Sequence, residues 1–183
     1  RWHFVRNIVF VLGQIGGAEV VPHLAAATRH ADLRVRRAAI HALGQVPPTL
    51  RRDVLLDQLD RTDGRLISAA LAMLSREPDP EVSAPLITRV LSPDFEHRPE
   101  DQKIALLFAL ADIGGDAAVP ALEEILVRGG WFARRSPERT TAARALVRLA
   151  SEAAQMALER GLQHRMDAVR EACQEAVSQW GRI

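Results

Sequence analysis

The chain carries a single cysteine, Cys173, so it can form no internal disulfide, and a lone thiol suits a reducing compartment. It has no tyrosine, and aromatics supply only 4% of its 183 residues, so its core must be filled by aliphatic and small side chains. Lysine occurs once, at Lys103; every other cation is arginine, a bias that reads as genomic base composition. Long hydrophobic runs are lacking: no uninterrupted apolar stretch approaches the roughly 18 residues of a membrane span, and no secretory pattern opens the chain. Charge of one sign is not in excess either. The formal net charge is +1, which predicts neither a nucleic acid nor a membrane as partner. Strand-like alternation of apolar and polar residues is missing throughout. These absences lead to the expectation of a cytoplasmic, all-α protein, and an opening at Arg1 inside a repeat leads to the expectation of a segment of a longer chain.

What the chain does have is a period. A short apolar signature returns as VLGQIG at 11–16, ALGQV at 42–46, MLSRE at 73–77, ALADIG at 109–114, ALVRLA at 145–150 and AVSQWG at 176–181. Its third residues are Gly13, Gly44, Ser75, Ala111, Val147 and Ser178, separated by 31, 31, 36, 36 and 31 residues. Repeats of this size mark a solenoid, in which no unit can bury its own apolar face and each leans on its neighbours. Counting from these anchors, positions −5, −2 and −1 are apolar in nearly every unit and fall on one helical face. A first helix is therefore expected at about 4–14, 34–45, 65–76, 101–112, 138–150 and 168–180. Small residues at −2 and at the anchor predict close helix approach. Asp32, Asp63, Ser136 and Asp167 stand where helix N-caps are needed, with Pro137 in a first turn. Gly16-Gly17, Pro47-Pro48, Pro78-Asp79-Pro80 and Gly114-Gly115 break the pattern at the ends. Second helices follow, with Pro22, Pro85 and Pro120 expected in their first turns, 9, 10 and 9 residues after the anchors. The count is eleven helices in five and a half units: 1–31, 32–62, 63–98, 99–135, 136–166 and 167–183, all in one domain.

The run Asp32-x-x-Val35-Arg36-Arg37-Ala38-Ala39-x-x-Ala42-Leu43-Gly44 resembles the HEAT-like repeats of phycobilisome lyases, as does Ala18-Glu19-Val20-Val21-Pro22-x-Leu24. The resemblance covers essentially the whole chain. Unit three departs from it at Ser75 and Glu77, and unit six is partial. It implies a right-handed α/α superhelix and, for function, a non-catalytic scaffold that holds a protein partner along a curved surface. Enzymes built on such repeats, the bilin lyases and the alkylpurine DNA glycosylases, supply the alternative. The resemblance also implies a structural role for the basic residue eight before the anchor: Arg36, Lys103, Arg139 and Arg170.

Two intervals stretch to 36 residues, and both insertions fall between a second helix and the next first helix, at 91–99 and 128–136. Insertions at one junction project from one edge and form binding ridges. Trp131, Phe132, Arg134 and Arg135, beside Phe95, His97 and Arg98, make the candidate partner-binding edge for an acidic or phosphorylated protein segment, since Trp and Arg dominate binding hot spots. The competing reading has Trp131 and Phe132 folding back to plug the core. The second helices offer another surface, with Arg51, Arg52, Asp57, Asp60, Glu123, Glu124, Glu152 and Glu159 expected on it as mixed, solvated charge. No cofactor or metal is expected: the six histidines show no i, i+4 pairing or HExxH spacing. The His-Glu dipeptides of iron-binding HEAT-like hydroxylases are also absent. Cys173 sits at a buried position and reads as core. Trp2 and Trp180 flank the chain and read as covers for exposed ends, with contact to a preceding domain as the alternative for Trp2.

Overall fold

A computed structural model describes residues 1–76, 79–128 and 136–180, without the side chain of Trp180. All regular structure among the described residues is helical. The chain divides into two compact units, Arg1–Asp79 and Pro80–Ile183.

The first unit holds α1 (Trp2–Ile15), a 3₁₀ turn (Ala18–Val20), α2 (Val21–Ala27), α3 (Leu33–Leu43), α4 (Pro48–Gln58) and α5 (Gly64–Arg76). Asp32 starts α3 by accepting the Arg34 N–H at 2.9 Å, and Asp63 starts α5 by accepting that of Arg65 at 3.1 Å. α1 stops at Gly16, whose left-handed φ of 68° suits a residue without Cβ and lets its N–H reach the Leu12 carbonyl. The first helices α1, α3 and α5 pack in sequence as one row, and the second helices α2 and α4 as another. Leu24, Val35, Ala39, Leu43, Leu55 and Ile67 are sealed between the rows; each buried leucine or isoleucine contributes about 1.5–3 kcal/mol.

The second unit holds α6 (Pro80–Leu91), a 3₁₀ turn (Pro93–His97), α7 (Glu100–Gly114), a 3₁₀ turn (Gly115–Ala118), α8 (Val119–Val127), α9 (Pro137–Leu149), α10 (Glu152–Leu162) and α11 (Asp167–Trp180). Again α7, α9 and α11 form one row, and α6, α8 and α10 the other. Both units are thus segments of an all-α solenoid. α2, α4 and α8 each touch the following first helix more than the one before them. Residues Glu100–Val127, taken together, reach the length and apolarity of a membrane span. The chain turns between Gly115 and Ala118, and 56% of the apolar window is buried inside the protein.

Other details differ from the sequence expectation. Pro22 and Pro120 do occupy first turns, but α6 begins at Pro80, which leaves Pro85 inside the helix with no N–H to give the preceding turn. Asp167 lies within α11 and pairs with Arg170; the first helical bonds there go to the Met166 carbonyl. Arg51, expected on the solvated surface, is 4% exposed. Its Nη1 donates to the Gly44 and Val46 carbonyls at 3.1 and 3.0 Å and closes the end of α3.

Candidate functional site

The basic residues eight before the anchors are committed to structure. Arg36 Nη1 donates to the His30 and Ala31 carbonyls at 2.9 Å each, and Arg170 Nη1 donates to the His164 carbonyl at 2.6 Å. Arg139 donates to Leu126 and Arg128, and Lys103 Nζ to Glu138 Oε1 at 2.7 Å. Arg139 fastens the last carbonyls of α8, where the helix dipole also favours a cation, while Arg36 and Arg170 fasten carbonyls in the turns that follow α2 and α10. His30 and His164 belong to the same device. Their Nδ1 atoms accept the N–H of Asp32 and Met166, two residues on. No group of three or more metal-ligating side chains occurs among the described residues.

Of the expected partner-binding edge, Trp131, Phe132, Arg134 and Arg135 lie outside the described residues. Phe95 is corrected: at 2% exposure it turns into the core of the second unit, where so large a ring is best kept from water. His97 is exposed with Nδ1 3.3 Å from the Pro93 carbonyl, and Arg98 is half-buried. A small hollow of about 140 Å³ lies beside Phe95, lined also by Lys103, Arg128, Ser136 and Glu138. Both of its cations are paired: Lys103 with Glu138, and Arg128 with Glu124.

A larger surface lies on the first unit, between α1 and α3. Two hollows of about 350 and 410 Å³ share Arg6 and Ala38 and so run together as one groove. Its floor is made of small residues. Gly13 is buried against α3, and a Cβ there would come 2.8 Å from Ala42 Cβ and 3.1 Å from Ala42 Cα. Only glycine permits that approach, which leaves a trough above the contact line. Phe10 stands 61% exposed along one wall, with Gln14, His41 and Gln45 near the far end.

The near end is cationic. The Arg34 guanidinium lies 3.6 Å from the centroid of the Trp2 ring, and Arg6 lies 5.5 Å from it. Asp32 anchors Arg34 through Nε at 3.0 Å and Nη2 at 2.7 Å. These hydrogen bonds from Arg34 hold the Asp32 carboxyl at about 2, well below the ordinary aspartate value. The folded value lies below the unfolded one, so the stabilising contribution of Asp32 is complete above about pH 4 and is lost as pH falls through about 2. An NMR titration of the side-chain carboxyl should therefore place Asp32 near the bottom of the aspartate range; a midpoint close to 4 would refute this account of the anchor. Arg6 Nη2 reaches only Asn7 Oδ1, at 3.3 Å, and Arg37 is exposed on the same rim. Neither forms an ion pair among the described residues, and no carboxylate is among the residues that line the two hollows. The first unit as a whole carries eleven arginines against eight Asp and Glu.

The sequence reading passed over this groove. Trp2 stacks on Arg34 at the near end of the groove. One signal was available: Arg6 and Arg37 stand 31 residues apart at the same repeat position, so stacking sets their side chains on one edge.

Two family profiles match the chain. One described as HEAT repeats covers residues 4–75, and one described as PBS lyase HEAT-like repeat covers residues 103–128. No curated protein matches. Among solved structures, human deoxyhypusine hydroxylase in complex with glycerol aligns over 100% of this chain and 81% of its own, at 17% identity and a TM-score of 0.46.

Proposed function

The chain is a HEAT-like repeat protein, and we propose that it is a non-catalytic interaction scaffold whose α1–α3 groove holds an acidic or phosphorylated segment of a protein partner. The observation that carries this reading is the pair Arg6 and Arg37, left without carboxylates beside a guanidinium already fixed on Trp2. Arginine forks match carboxylate and phosphate oxygens in two-point contacts. A third guanidinium locked by Asp32 adds directed charge with little further loss of side-chain freedom. The small-residue floor lets a backbone lie close, and exposed Phe10 offers an apolar contact to a side chain of the bound segment. Anionic peptide recognition by arginine clusters follows these rules.

Fluorescence anisotropy with a labelled, glutamate-rich peptide containing one phosphoserine tests the reading. Binding is expected to weaken steeply with salt above about 50 mM. Arg37→Glu and Arg6→Glu should each reduce affinity by about tenfold or more. Arg65→Glu, on the exposed part of α5 outside the groove, should leave it unchanged. Trp131→Ala separates this groove from the 128–136 insertion: lost binding there moves the site to the insertion. Absence of binding at low salt, or equal loss in all the arginine variants, overturns the groove assignment.

A further inference from the structure

The outward face of the first helices carries a ladder. On α1, Arg6, Phe10 and Gln14 stand four residues apart, and on α3 Arg37, His41 and Gln45 hold the same repeat positions. All six are exposed, those of α3 included, although α1 and α5 pack on both sides of that helix. The ladder is therefore an open face of the row and not a seat for a neighbouring helix. The second unit shows that equal positions on adjacent first helices meet across the row. Arg144 and Glu175 share one of these positions and lie 2.6 Å apart. Arg148 and Asp112 share another, and Nη2 donates to Oδ2 at 3.0 Å. There the rungs are closed by opposite charges. Between α1 and α3 the same positions match arginine with arginine, Phe10 with His41 and Gln14 with Gln45, all along the two hollows. On α5 they are Ser68, Ala72 and Arg76, so the cationic rung does not recur there.

Trp2 meets Arg34 near one end of the two helices and Gly13 meets Ala42 near the other, so α1 and α3 run in the same direction. The rungs then follow one another along the groove, and four residues of helix rise about 6 Å. In an extended chain, residues on one face recur about every 6.6 Å. An extended segment laid along the groove thus drops alternate side chains onto successive rungs. Its conformation follows from what each rung offers. A side-chain amide has both donors and an acceptor, the complement of a peptide unit. An extended chain has free N–H and C=O groups to give to Gln14 and Gln45, whereas an α-helix spends its own internally. A helix laid here would also find one large apolar side chain on the ladder, Phe10, to pack against. A nucleic-acid strand brings a phosphate to every rung, and the rungs beyond Arg6 and Arg37 carry no arginine or lysine.

We propose that this groove, taken as the peptide site inferred above, reads its partner segment in extended form and at a fixed spacing. A carboxylate or phosphate sits between Arg6 and Arg37, an apolar side chain two residues away lies on Phe10, and main-chain groups four residues away are held by Gln14 and Gln45. The residues between them point away from the floor and are not selected.

Fluorescence anisotropy on the whole chain with a set of labelled peptides reads the spacing. Each peptide carries one phosphoserine in a glycine–serine–threonine background and one leucine placed one, two or three residues from it, on either side. Leucine at the second residue, on the side that runs toward Gln14, should bind at least about fivefold tighter than leucine at the first or third. Phe10→Ala should erase that preference and leave the affinity of a leucine-free peptide within about twofold. Gln14→Ala combined with Gln45→Ala should weaken every peptide by about tenfold. All three positions are exposed, so melting temperatures should stay at the wild-type value. N-methylation of the peptide main chain at the fourth residue should weaken binding to the unaltered protein by a similar factor, which keeps the test independent of any variant's stability. Glutamate in place of phosphoserine should keep the leucine preference at lower affinity, and this arm separates the two sources of the anion. Equal affinity at the three leucine spacings overturns the extended register. So does tighter binding of a cross-linked helical peptide, or of a short oligothymidylate, than of the matched linear peptide. A spacing-blind or helical result leaves anionic peptide binding at the arginines standing, whereas no binding of any peptide at low salt removes the groove assignment and this proposal together.

Discussion

Replacing Arg139 with methionine is expected to destabilise the second unit by about 3 kcal/mol and to lower the melting temperature by about 10 °C. Arg139 is 1% exposed, the largest fully buried side chain among the described residues. Its Nε donates to the Leu126 carbonyl at 2.9 Å and one Nη to the Arg128 carbonyl at 2.8 Å. Those carbonyls end α8 and have no partner within the helix. Burial pulls the guanidinium below its ordinary pKa, yet arginine is so strong a base that it keeps its proton. The charge is tolerated because it faces the negative end of the helix dipole. Methionine would fill the space of the stem and leave the carbonyls dry and unpaired, which is the costly half of losing a hydrogen bond. Lysine should fall between, since an ammonium on a flexible stem cannot hold two carbonyls in the fixed geometry of a guanidinium. Thermal melts and urea titrations of Arg139→Met and Arg139→Lys check the order. A methionine variant melting within about 2 °C of the parent would show that the carbonyls find other donors.

Arg139 also shows how far the sequence could be read. Its place eight before an anchor pointed to a structural role, and the structure supplies the carbonyls. The helices themselves were legible because positions −5, −2 and −1 repeat, and because Asp32, Asp63 and Ser136 are short acceptors at the right places. Arg51 was misjudged for a physical reason. It stands beside Arg52 on a helix whose other charges face water, and the carbonyls of Gly44 and Val46, brought over it by the turn before α4, help make its burial tolerable. Phe95 was misplaced for a related reason: an insertion looks exposed in sequence, but its 3₁₀ turn directs one large ring inward. Which neighbour a second helix touches most was not legible, because periodicity fixes the face of a helix and not which neighbour covers it. The groove escaped notice because its residues come from two repeats, and its floor exists only where Gly13 lets α1 settle on Ala42.

Gly161→Ala is expected to destabilise the chain by about 1–2 kcal/mol, and the same change should become stabilising once Cys173 is alanine. Gly161 lies near the end of α10, where alanine would ordinarily gain about 1 kcal/mol over glycine. A Cβ at this position would come 2.4 Å from Cys173 Sγ and 3.4 Å from Leu126 Cδ2. The sulfur has nowhere to retreat, because Cys173 is fully buried on α11. Burial also pushes its thiol up to about 11, so near neutral pH it is an uncharged filler and not a nucleophile. Three of the other units carry alanine at this repeat position, Ala39, Ala70 and Ala142, so the sixth unit exchanges a sulfur on its first helix for a missing methyl on the helix before it. Cys173→Ala alone opens a small void and should cost about 1 kcal/mol. In that background a Cβ at position 161 meets the Cβ of residue 173 at 3.7 Å and Leu126 Cδ2 at 3.4 Å, both within ordinary contact range, and the gain in helix propensity returns. The four-cornered cycle, measured by urea denaturation, should show a coupling of about 2 kcal/mol favouring the double variant. Equal costs for Gly161→Ala in both backgrounds would mean that the sulfur is not what excludes the methyl, and that the glycine serves α10 alone.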